Sequence, residues 1–265
     1  MIIPRVLEVL TDLIENTRAF FLVCARDRGN LRDKLDEFAT LGISNFLVIC
    51  GEKMKHPRVR YRKTIGKWDA INFGSKFIPS GAKLIVLNDV DTEIHSLDKA
   101  LLRSREAEFI YCGVNVAEGP QRQWYRILNA VRHNLHVAAS GELMLINRRA
   151  FERLLPIPPC TAEDTYLMFR ALQLGHRVEF YPKTYVTTFR TRSAMEEQLY
   201  KTRTTLGIYQ ALQLARPPPT IRAFYALLPF IAPLLAVRGG SGRSWAIGIE
   251  QAAINNLLKR YATKF

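Results

Sequence analysis

Asp89 and Asp91 stand one residue apart at the end of the apolar run Leu84–Leu87. Two carboxylates that close repel each other unless a cation or hydrogen-bond donors lie between them. Their oxygens suit Mg²⁺ or Mn²⁺, ions that usually share their coordination with the phosphates of a substrate. The same Asp-Val-Asp also suits a solvated turn. Lys67 follows Gly66 at the start of a helical stretch, where free backbone amides and the helix dipole favour an anion. The glycine and Ser/Thr spacing of a nucleoside triphosphatase phosphate loop is absent there. Glu163 and Asp164 open another helix, where they complement its dipole and could equally supply a general base on a rigid support. Arg148 and Arg149 open a helix against its dipole, so either both are solvated or a diphosphate or acceptor anion compensates them.

The chain has 265 residues, 48% of them hydrophobic, which suits one large domain or one domain with an appendage. Thirty-eight Lys and Arg against 24 Asp and Glu give a formal net charge of +14, favouring nucleotide phosphates, acidic lipid or nucleic acid as partner. A nucleic-acid-binding protein would gather that charge in a patch with exposed aromatics. Here the basic residues are scattered along the chain, which argues against nucleic acid. Cys24, Cys50, Cys112 and Cys160 stand far apart without metal-ligand spacing, as reduced core thiols of a cytosolic domain would. Arg5, Glu8, Asp12 and Glu15 break up the amino terminus, so no signal peptide is indicated. His133 and His136 have no carboxylate or cysteine beside them and make poor metal ligands.

The elements that must position these residues read as alternating strands and helices. Pro4–Glu15 has helical apolar spacing, Phe20–Ala25 is a short apolar strand, and a helix from Leu31 to about Leu41 is capped by Asn30 and closed by Gly42. Asn45–Cys50 is the next strand. Strand, helix and strand at this spacing predict a parallel sheet, with its ligand crevice at the carboxyl ends of the strands. Arg26, Asp27, Gly51 and Glu52 fall there. Arg58, Arg60 and Arg62 alternate in a basic segment that suits a solvated strand face or an anion. Beyond Lys83–Leu87 the pattern predicts a helix capped by Ser96, a strand at Phe109–Val116, and a helix over Gln121–His136 with Trp124, Tyr125 and Leu128 on its apolar side. Two short strands follow at Arg177–Tyr181 and Thr184–Phe189, then a helix over Met195–Gln213 that Pro217-Pro218-Pro219 ends as a stiff extended break.

Ala223–Val237 is uncharged, flanked by Arg222 and Arg238 and interrupted by Pro229 and Pro233. It falls short of the roughly 20 apolar residues that span a bilayer. It suits a membrane-dipping hairpin or interfacial segment, or a helix covering the domain's own apolar surface. Ser244–Tyr261 reads as a last amphipathic helix ending in Lys259-Arg260. The expected organisation is an amino-terminal helix (1–18), an α/β domain (19–215) and a hydrophobic helical appendage (216–265).

In order along the chain, these stations resemble the inverting family-two glycosyltransferases of the GT-A fold, in the branch of cellulose, chitin and hyaluronan synthases. Gly66-Lys67 through Asn72-Phe73-Gly74 resembles that family's Gly-Lys-x-x-Ala-x-Asn-x-Gly helix, and Asn88-Asp89-Val90-Asp91-Thr92 resembles its Asp-x-Asp turn. Gly141 through Arg148-Arg149 is similar to the glycine-to-arginine acceptor-side segment, and Thr161-Ala162-Glu163-Asp164 to the motif carrying the catalytic base. The resemblance spans roughly Phe20 to Leu212. It implies a Rossmann-like, mostly parallel sheet flanked by helices, and a nucleotide-diphosphate sugar held with Mn²⁺ or Mg²⁺ at Asp91 and Asp89. It further implies donor contacts from Arg26, Asp27, Lys67, Asp89, Arg149 and Lys201, an acceptor side formed by Gly141, Glu142, Glu163 and Gln198, and Asp164 as the base of a single inverting displacement. The acceptor would be a glycan or lipid-linked glycan, with the enzyme at the cytoplasmic face of a membrane.

Two positions depart from the family pattern. The Gln-x-x-Arg-Trp that follows the base becomes Gln198-Leu199-Tyr200-Lys201-Thr202 with Arg203 next, without the tryptophan, and Gly51-Glu52 replaces the aspartate that helps hold the nucleobase. A processive polymer synthase would need a transmembrane channel that one hydrophobic segment does not provide. A nucleotidyltransferase would share the paired aspartates and the lysine with less use for Asp164, and a non-catalytic relative would explain the altered Gln198 motif.

Overall fold

The central strands are apolar on both faces, which is what a sheet buried between two helical layers requires. The computed structural model describes residues 3–63, 65–119, 121–189, 193–237 and 239–262, with side chains between residues 8 and 258. In chain order the elements are α1 (Ile3–Thr17), β1 (Ala19–Ala25), α2 (Leu31–Thr40), β2 (Phe46–Cys50), β3 (Val59–Tyr61), α3 (Lys67–Gly74), β4 (Leu84–Asp89), β5 (Thr92–His95) and α4 (Leu97–Arg103). They continue with β6 (Phe109–Val116), α5 (Arg122–Asn134), β7 (Leu143–Asn147), α6 (Arg148–Leu154), α7 (Glu163–Gln173), β8 (Val178–Thr188), α8 (Ala194–Ala215), α9 (Pro219–Ala236) and α10 (Gly240–Ala262).

The strands form one eight-stranded sheet in the order β3-β2-β1-β4-β7-β6-β8-β5. β1 to β4 run parallel, β7 runs against both β4 and β6, β8 lies parallel to β6, and β5 closes the far edge antiparallel to β8. Side chains alternate between two cores. Phe20 and Leu22 of β1 face the core beneath α3, α6 and α7, whereas Phe21 and Val23 face the one beneath α1, α2 and α4. Each such buried side chain contributes about 1.5–3 kcal/mol relative to exposure.

The structure corrects several local expectations. Asn30 and Ser96 precede their helices without a side-chain capping bond, and Ser96 has left-handed backbone. The two short strands expected at 177–189 are one strand, β8, whose register against β6 slips between Cys112 and Gly113. Cys112 pairs with Tyr181 and Gly113 with Tyr185, so Pro182–Thr184 bulge out, as a residue lacking an N–H favours. Arg58, Arg60 and Arg62 of the β3 edge lie over the Phe46, Phe77 and Phe73 rings, and Arg62 also forks onto Asp69 at 2.9 and 3.1 Å.

The proline-interrupted segment is no hairpin. Pro219 begins α9, where its missing N–H costs nothing, and the helix continues through Pro229 and Pro233 to Ala236. Pro229 cannot donate to the Tyr225 carbonyl one turn back; the Tyr209 hydroxyl donates to it instead at 3.3 Å. Only 17% of α9 is buried, and among the described residues it is the helix long and apolar enough to cross a membrane by length and composition. Arg222 flanks it as expected, while Arg238 and the side chains of Lys259 and Arg260 lie outside the described residues.

Candidate active site

The chain leaves β1 in one direction to form β2 and β3, then returns to β4 on the other side of β1, so the loops beyond these two strands separate and open a crevice. Cys24 at the end of β1 pairs with Asp89 at the end of β4, which puts Asp89 at that switch point. The turn after it is braced on three sides. Asn88 Nδ2 donates to the Glu142 carbonyl (2.6 Å) and to Thr92 Oγ1 (3.0 Å), Thr92 Oγ1 donates to the Asp89 carbonyl (2.9 Å), and the Asp89 N–H donates to the Glu142 carbonyl (3.1 Å). From α2, buried Lys34 pairs with Glu37 at 2.6 Å and donates to the Thr92 carbonyl, while Glu37 Oε1 accepts the Ile94 N–H at 2.5 Å. A buried ion pair thus fixes the stretch that carries Asp91.

Lys67, the first residue of α3, points into the same place. Its Nζ lies 2.5 Å from Asp89 Oδ1, 3.3 Å from Glu163 Oε1 and 3.1 Å from the Gly141 carbonyl. Burial opposes its charge, but Asp89, Glu163 and Asp164 together hold the ammonium well above the ordinary lysine value. Burial pushes the Asp89 carboxyl up to about 6 against the pull of Lys67, with Glu142 and Asp91 adding to the rise. Glu163 is pushed up to about 7 by burial, again against Lys67, with Asp164 contributing. Asp164 is raised as well, by burial first, while Lys67 and the Thr165 N–H favour its charged form. That N–H donates to Asp164 Oδ1 at 2.6 Å.

Gly141 is required by this crowding. A Cβ there would lie 2.9 Å from Asp164 Oδ2, 3.0 Å from Asp164 Cβ and 3.0 Å from Lys67 Nζ. Asn72, one turn along α3, holds the approach to α7: its Nδ2 donates to the Ile157 carbonyl and its Oδ1 accepts the Ile157 N–H, both at 2.8 Å. Lys67 and Asn72 of one short helix therefore fix the acidic cluster and the segment that leads to it.

Lys67, Asp89, Gly141, Glu163 and Asp164 line a cavity of about 690 Å³ together with Asp91, Glu142, Arg132, Lys201, Arg203 and Trp245. Among the described residues no three His, Cys, Asp or Glu form a metal cage by themselves. Asp89 Oδ1 is buried against Lys67 Nζ, and Asp91 and Glu142 lie nearby. Such hard-oxygen donors fit Mg²⁺ or Mn²⁺ when phosphate oxygens or water complete the coordination.

Other expected residues lie elsewhere. Arg26 and Asp27 are exposed beyond the end of β1 at the crevice rim, where Asp27 Oδ1 accepts the Gly29 N–H at 2.9 Å, and neighbouring Glu52 pairs with Arg28 at 2.9 Å. Arg149 is corrected outright. Because β7 runs antiparallel to β4, Asn147 pairs with Leu84 at the start of that strand, so α6 begins at the opposite edge of the sheet, about 17 Å of strand from Asp89. Asn147 caps α6 by accepting the Arg149 N–H, and Arg148 is compensated by Glu152 at 2.7 Å and by the Pro79 carbonyl. Gln198 also turns away, donating to Gln251 of α10 at 3.4 Å. His136 Nδ1 is occupied by the Tyr111 hydroxyl at 3.0 Å.

The cavity also holds residues that the sequence did not single out. Trp245 reaches it from α10, stacked on Trp124 with ring centroids 5.7 Å apart, and Lys201 Nζ sits 3.9 Å from the Trp245 ring centroid. α10 approaches α8 this closely at Gly248, where a Cβ would meet the Gln198 carbonyl and Lys201 Cβ at 2.9 Å. Arg132 enters from α5. Its place in sequence, four residues after Leu128 on the apolar stripe, was the signal available.

No known family profile and no curated protein matches the chain. Among solved structures it is similar to the mannosyltransferase PcManGT of Pyrobaculum calidifontis in complex with GDP-Man and Mn²⁺, at 17% identity and a TM-score of 0.66, over 91% of this chain and 87% of that one. It is also similar to glucosyl-3-phosphoglycerate synthase of Mycobacterium tuberculosis, in complex with phosphoglyceric acid (14% identity, TM-score 0.54, 80% of this chain and 85% of that one). The same enzyme with Mg²⁺ and UDP gives 14% identity and a TM-score of 0.53 over 80% and 84%. The chain has the GT-A fold of these proteins, a mixed Rossmann-like sheet flanked by helices.

Proposed function

We propose that the chain is an inverting, metal-dependent glycosyltransferase that moves a hexose from a nucleotide-diphosphate sugar to a hydroxyl acceptor. The observation that carries this reading is the convergence of Asp89, Asp91, Lys67 and Asp164 around Gly141 in one cavity at the switch point. The ligands named for the fold neighbours, GDP-Man with Mn²⁺ and UDP with Mg²⁺, support a nucleotide donor and a divalent ion here. The kinship with the polymer synthase branch rests on the sequence motifs alone.

Asp91 and Asp89 would hold the ion, and a bound divalent ion would offset the charge that grows on the departing diphosphate. Lys67 adds a fixed positive charge beside Asp89. Asp164 takes the proton from the acceptor hydroxyl as that oxygen bonds to the anomeric carbon and the carbon–phosphate oxygen bond breaks on the opposite face. General-base help of this kind is worth about 10²–10⁴ in rate. With Oδ1 tied to the Thr165 N–H, Asp164 has Oδ2 facing the Gly141 side of the cavity. In this reading Arg26 and Asp27, exposed beyond the end of β1, meet the nucleoside.

Residues 216–265 form the appendage in this reading, and the exposed side of α9 contacts the cytoplasmic face of a membrane that carries a lipid-linked glycan acceptor. Phe230 and Leu234 are 81% and 67% exposed there, and Arg216 and Arg222 are exposed nearby to meet anionic lipid.

The test is thermal stabilisation of the whole chain by GDP, UDP and their sugars with and without Mn²⁺. A nucleotide at a hundredfold its Kd adds about 2.7 kcal/mol. Metal-dependent stabilisation that disappears in Asp91→Ala, together with Asp164→Asn retaining nucleotide binding but losing transfer, is the expected result. Transfer at the normal rate by Asp164→Asn would remove that residue from the mechanism.

A further inference from the structure

Two further cations line the cavity, buried Arg132 and half-buried Lys201, the second of which the family resemblance assigns to the donor. Arg132 is 4% exposed and donates from Nε and Nη2 to the Ala138 and Ala139 carbonyls (3.0 and 3.4 Å) and from Nη1 to Asn129 Oδ1 (3.3 Å). Among the described residues no carboxylate lies within ion-pair distance of it. Of its five N–H groups, three are spent on neutral oxygens, which leaves donors over on a buried guanidinium that no carboxylate touches directly. Lys201 stands beside it under the Trp245 ring. Burial, with Arg132 adding repulsion, lowers the Lys201 ammonium to about 8, although Glu197 pulls the other way. Glu197 is itself committed, accepting from Gln121 Nε2 at 3.0 Å and from Trp245 Nε1. Two cations lining one cavity, with the Glu197 carboxylate beside Lys201 already accepting two hydrogen bonds, are what a site for a bound oxyanion provides.

Their position says which substrate they face. The charges acting on Asp89 are Lys67, Glu142 and Asp91, which is the metal and diphosphate side of the cavity. Asp164 feels Lys67 and Glu142 too, but it also feels Arg132. Asp164 therefore lies between an acidic pole and a basic one in the cavity. Exposed Arg203, over the Tyr200 ring, stands at the mouth of the basic side.

We propose that the acceptor carries an oxyanion, a phosphate or a carboxylate, which binds Arg132 and Lys201 with Arg203 at the rim and so sets its hydroxyl against Asp164. This deepens the proposed transfer reaction and rests on it for the word acceptor. The anion can belong to a free small molecule or to a lipid headgroup.

The test measures binding of inorganic phosphate to the full chain by calorimetry, with GDP or UDP and Mn²⁺ at saturation so that the diphosphate site is filled. Arg132→Gln and Lys201→Gln should each weaken phosphate at least tenfold and leave nucleotide affinity unchanged. Should Arg132→Gln fail to fold, Lys201→Gln and Arg203→Gln decide the matter. Phosphate affinity unchanged in the folded variants overturns the proposal, as does a tenfold loss of nucleotide affinity, which would return these cations to the donor. If no nucleotide binds the native chain, the transferase reading fails while the phosphate comparison still tests the anion site. Vesicles of phosphatidylcholine with and without phosphatidic acid then separate the sources: retention that depends on phosphatidic acid and is lost in Lys201→Gln assigns a lipid headgroup, and phosphate binding without such retention assigns a soluble acceptor.

Discussion

Gly141→Ala is the smallest change that tests whether the acidic cluster is held at working geometry by packing alone. The glycine has no left-handed backbone, so alanine fits its dihedrals and should alter stability by no more than about 1 kcal/mol through the unfolded chain. Its methyl, however, would meet Asp164 Oδ2, Asp164 Cβ and Lys67 Nζ at 2.9–3.0 Å, where ordinary contact begins at 3.4 Å. Asp164 or Lys67 must retreat by about 0.5 Å into the cavity that both line. A misplacement of about 1 Å costs about a hundredfold in rate, so half of that predicts roughly a tenfold fall in kcat, or about 1.4 kcal/mol. The assay is kcat at saturating donor and acceptor, with the melting temperature as control. Because the defect acts through Asp164, the double variant with Asp164→Asn should be no slower than Asp164→Asn alone. A native kcat in Gly141→Ala, or a double variant slower by the product of the two defects, would refute the reasoning.

Three further outcomes follow from the same contacts. Glu163 has a folded value near 7 against an ordinary 4.5, so its contribution to stability is fully present below the unfolded value and is lost as pH rises through 7. Denaturation of the native chain and Glu163→Gln between pH 5 and 8 should show the native chain losing up to roughly 3 kcal/mol relative to the variant, and a difference that grows the other way would show the sign to be wrong. The raised Asp164 predicts that the acidic limb of kcat/KM lies above the ordinary aspartate value of 3.8, with activity rising as the pH rises through it. Asn72→Ala removes both bonds to Ile157 and strands that backbone pair, so chemical denaturation should report a loss of about 2–3 kcal/mol together with reduced kcat, whereas a loss of stability with full activity would separate this brace from the site.

What was legible in the sequence were groups whose role is set within a few residues. Asp89 ends an apolar run, Lys67 follows a glycine at a helix start, and Glu163 and Asp164 open α7; each is a boundary with a local signature. Strand direction has no such signature. The run Leu143–Asn147 reads the same in either orientation, and only its antiparallel pairing with β4 carries Arg149 away to the opposite end of the strands. α9 was obscured for a related reason. Two prolines inside an apolar segment suggest a break, and the carbonyl freed at Pro229 is satisfied by a hydroxyl from Tyr209, sixteen residues before it on another helix.

The tryptophan missing after Gln198 shows how far such partners can lie. An aromatic wall beside Lys201 is present, but Trp245 supplies it from α10, 44 residues later in the chain, and the glycine that allows the approach is Gly248. Neither residue carries a signal until α8 and α10 are packed together. The same packing leaves Glu197 as the acceptor of the Trp245 N–H, so α10, the helix that follows α9, is tied by a buried carboxylate to the Lys201 side of the cavity. A movement of α10 would therefore shift Trp245 and Lys201 together. It would not directly disturb Asp89, Lys67 or Gly141, which are held by β4, α3 and the loop before β7. That division predicts separable behaviour: Trp245→Phe, which keeps an aromatic face but loses the bond to Glu197, should raise the KM for acceptor while leaving metal-dependent nucleotide binding at its native strength, and a parallel loss of nucleotide affinity would show that the two sides of the cavity are one rigid unit.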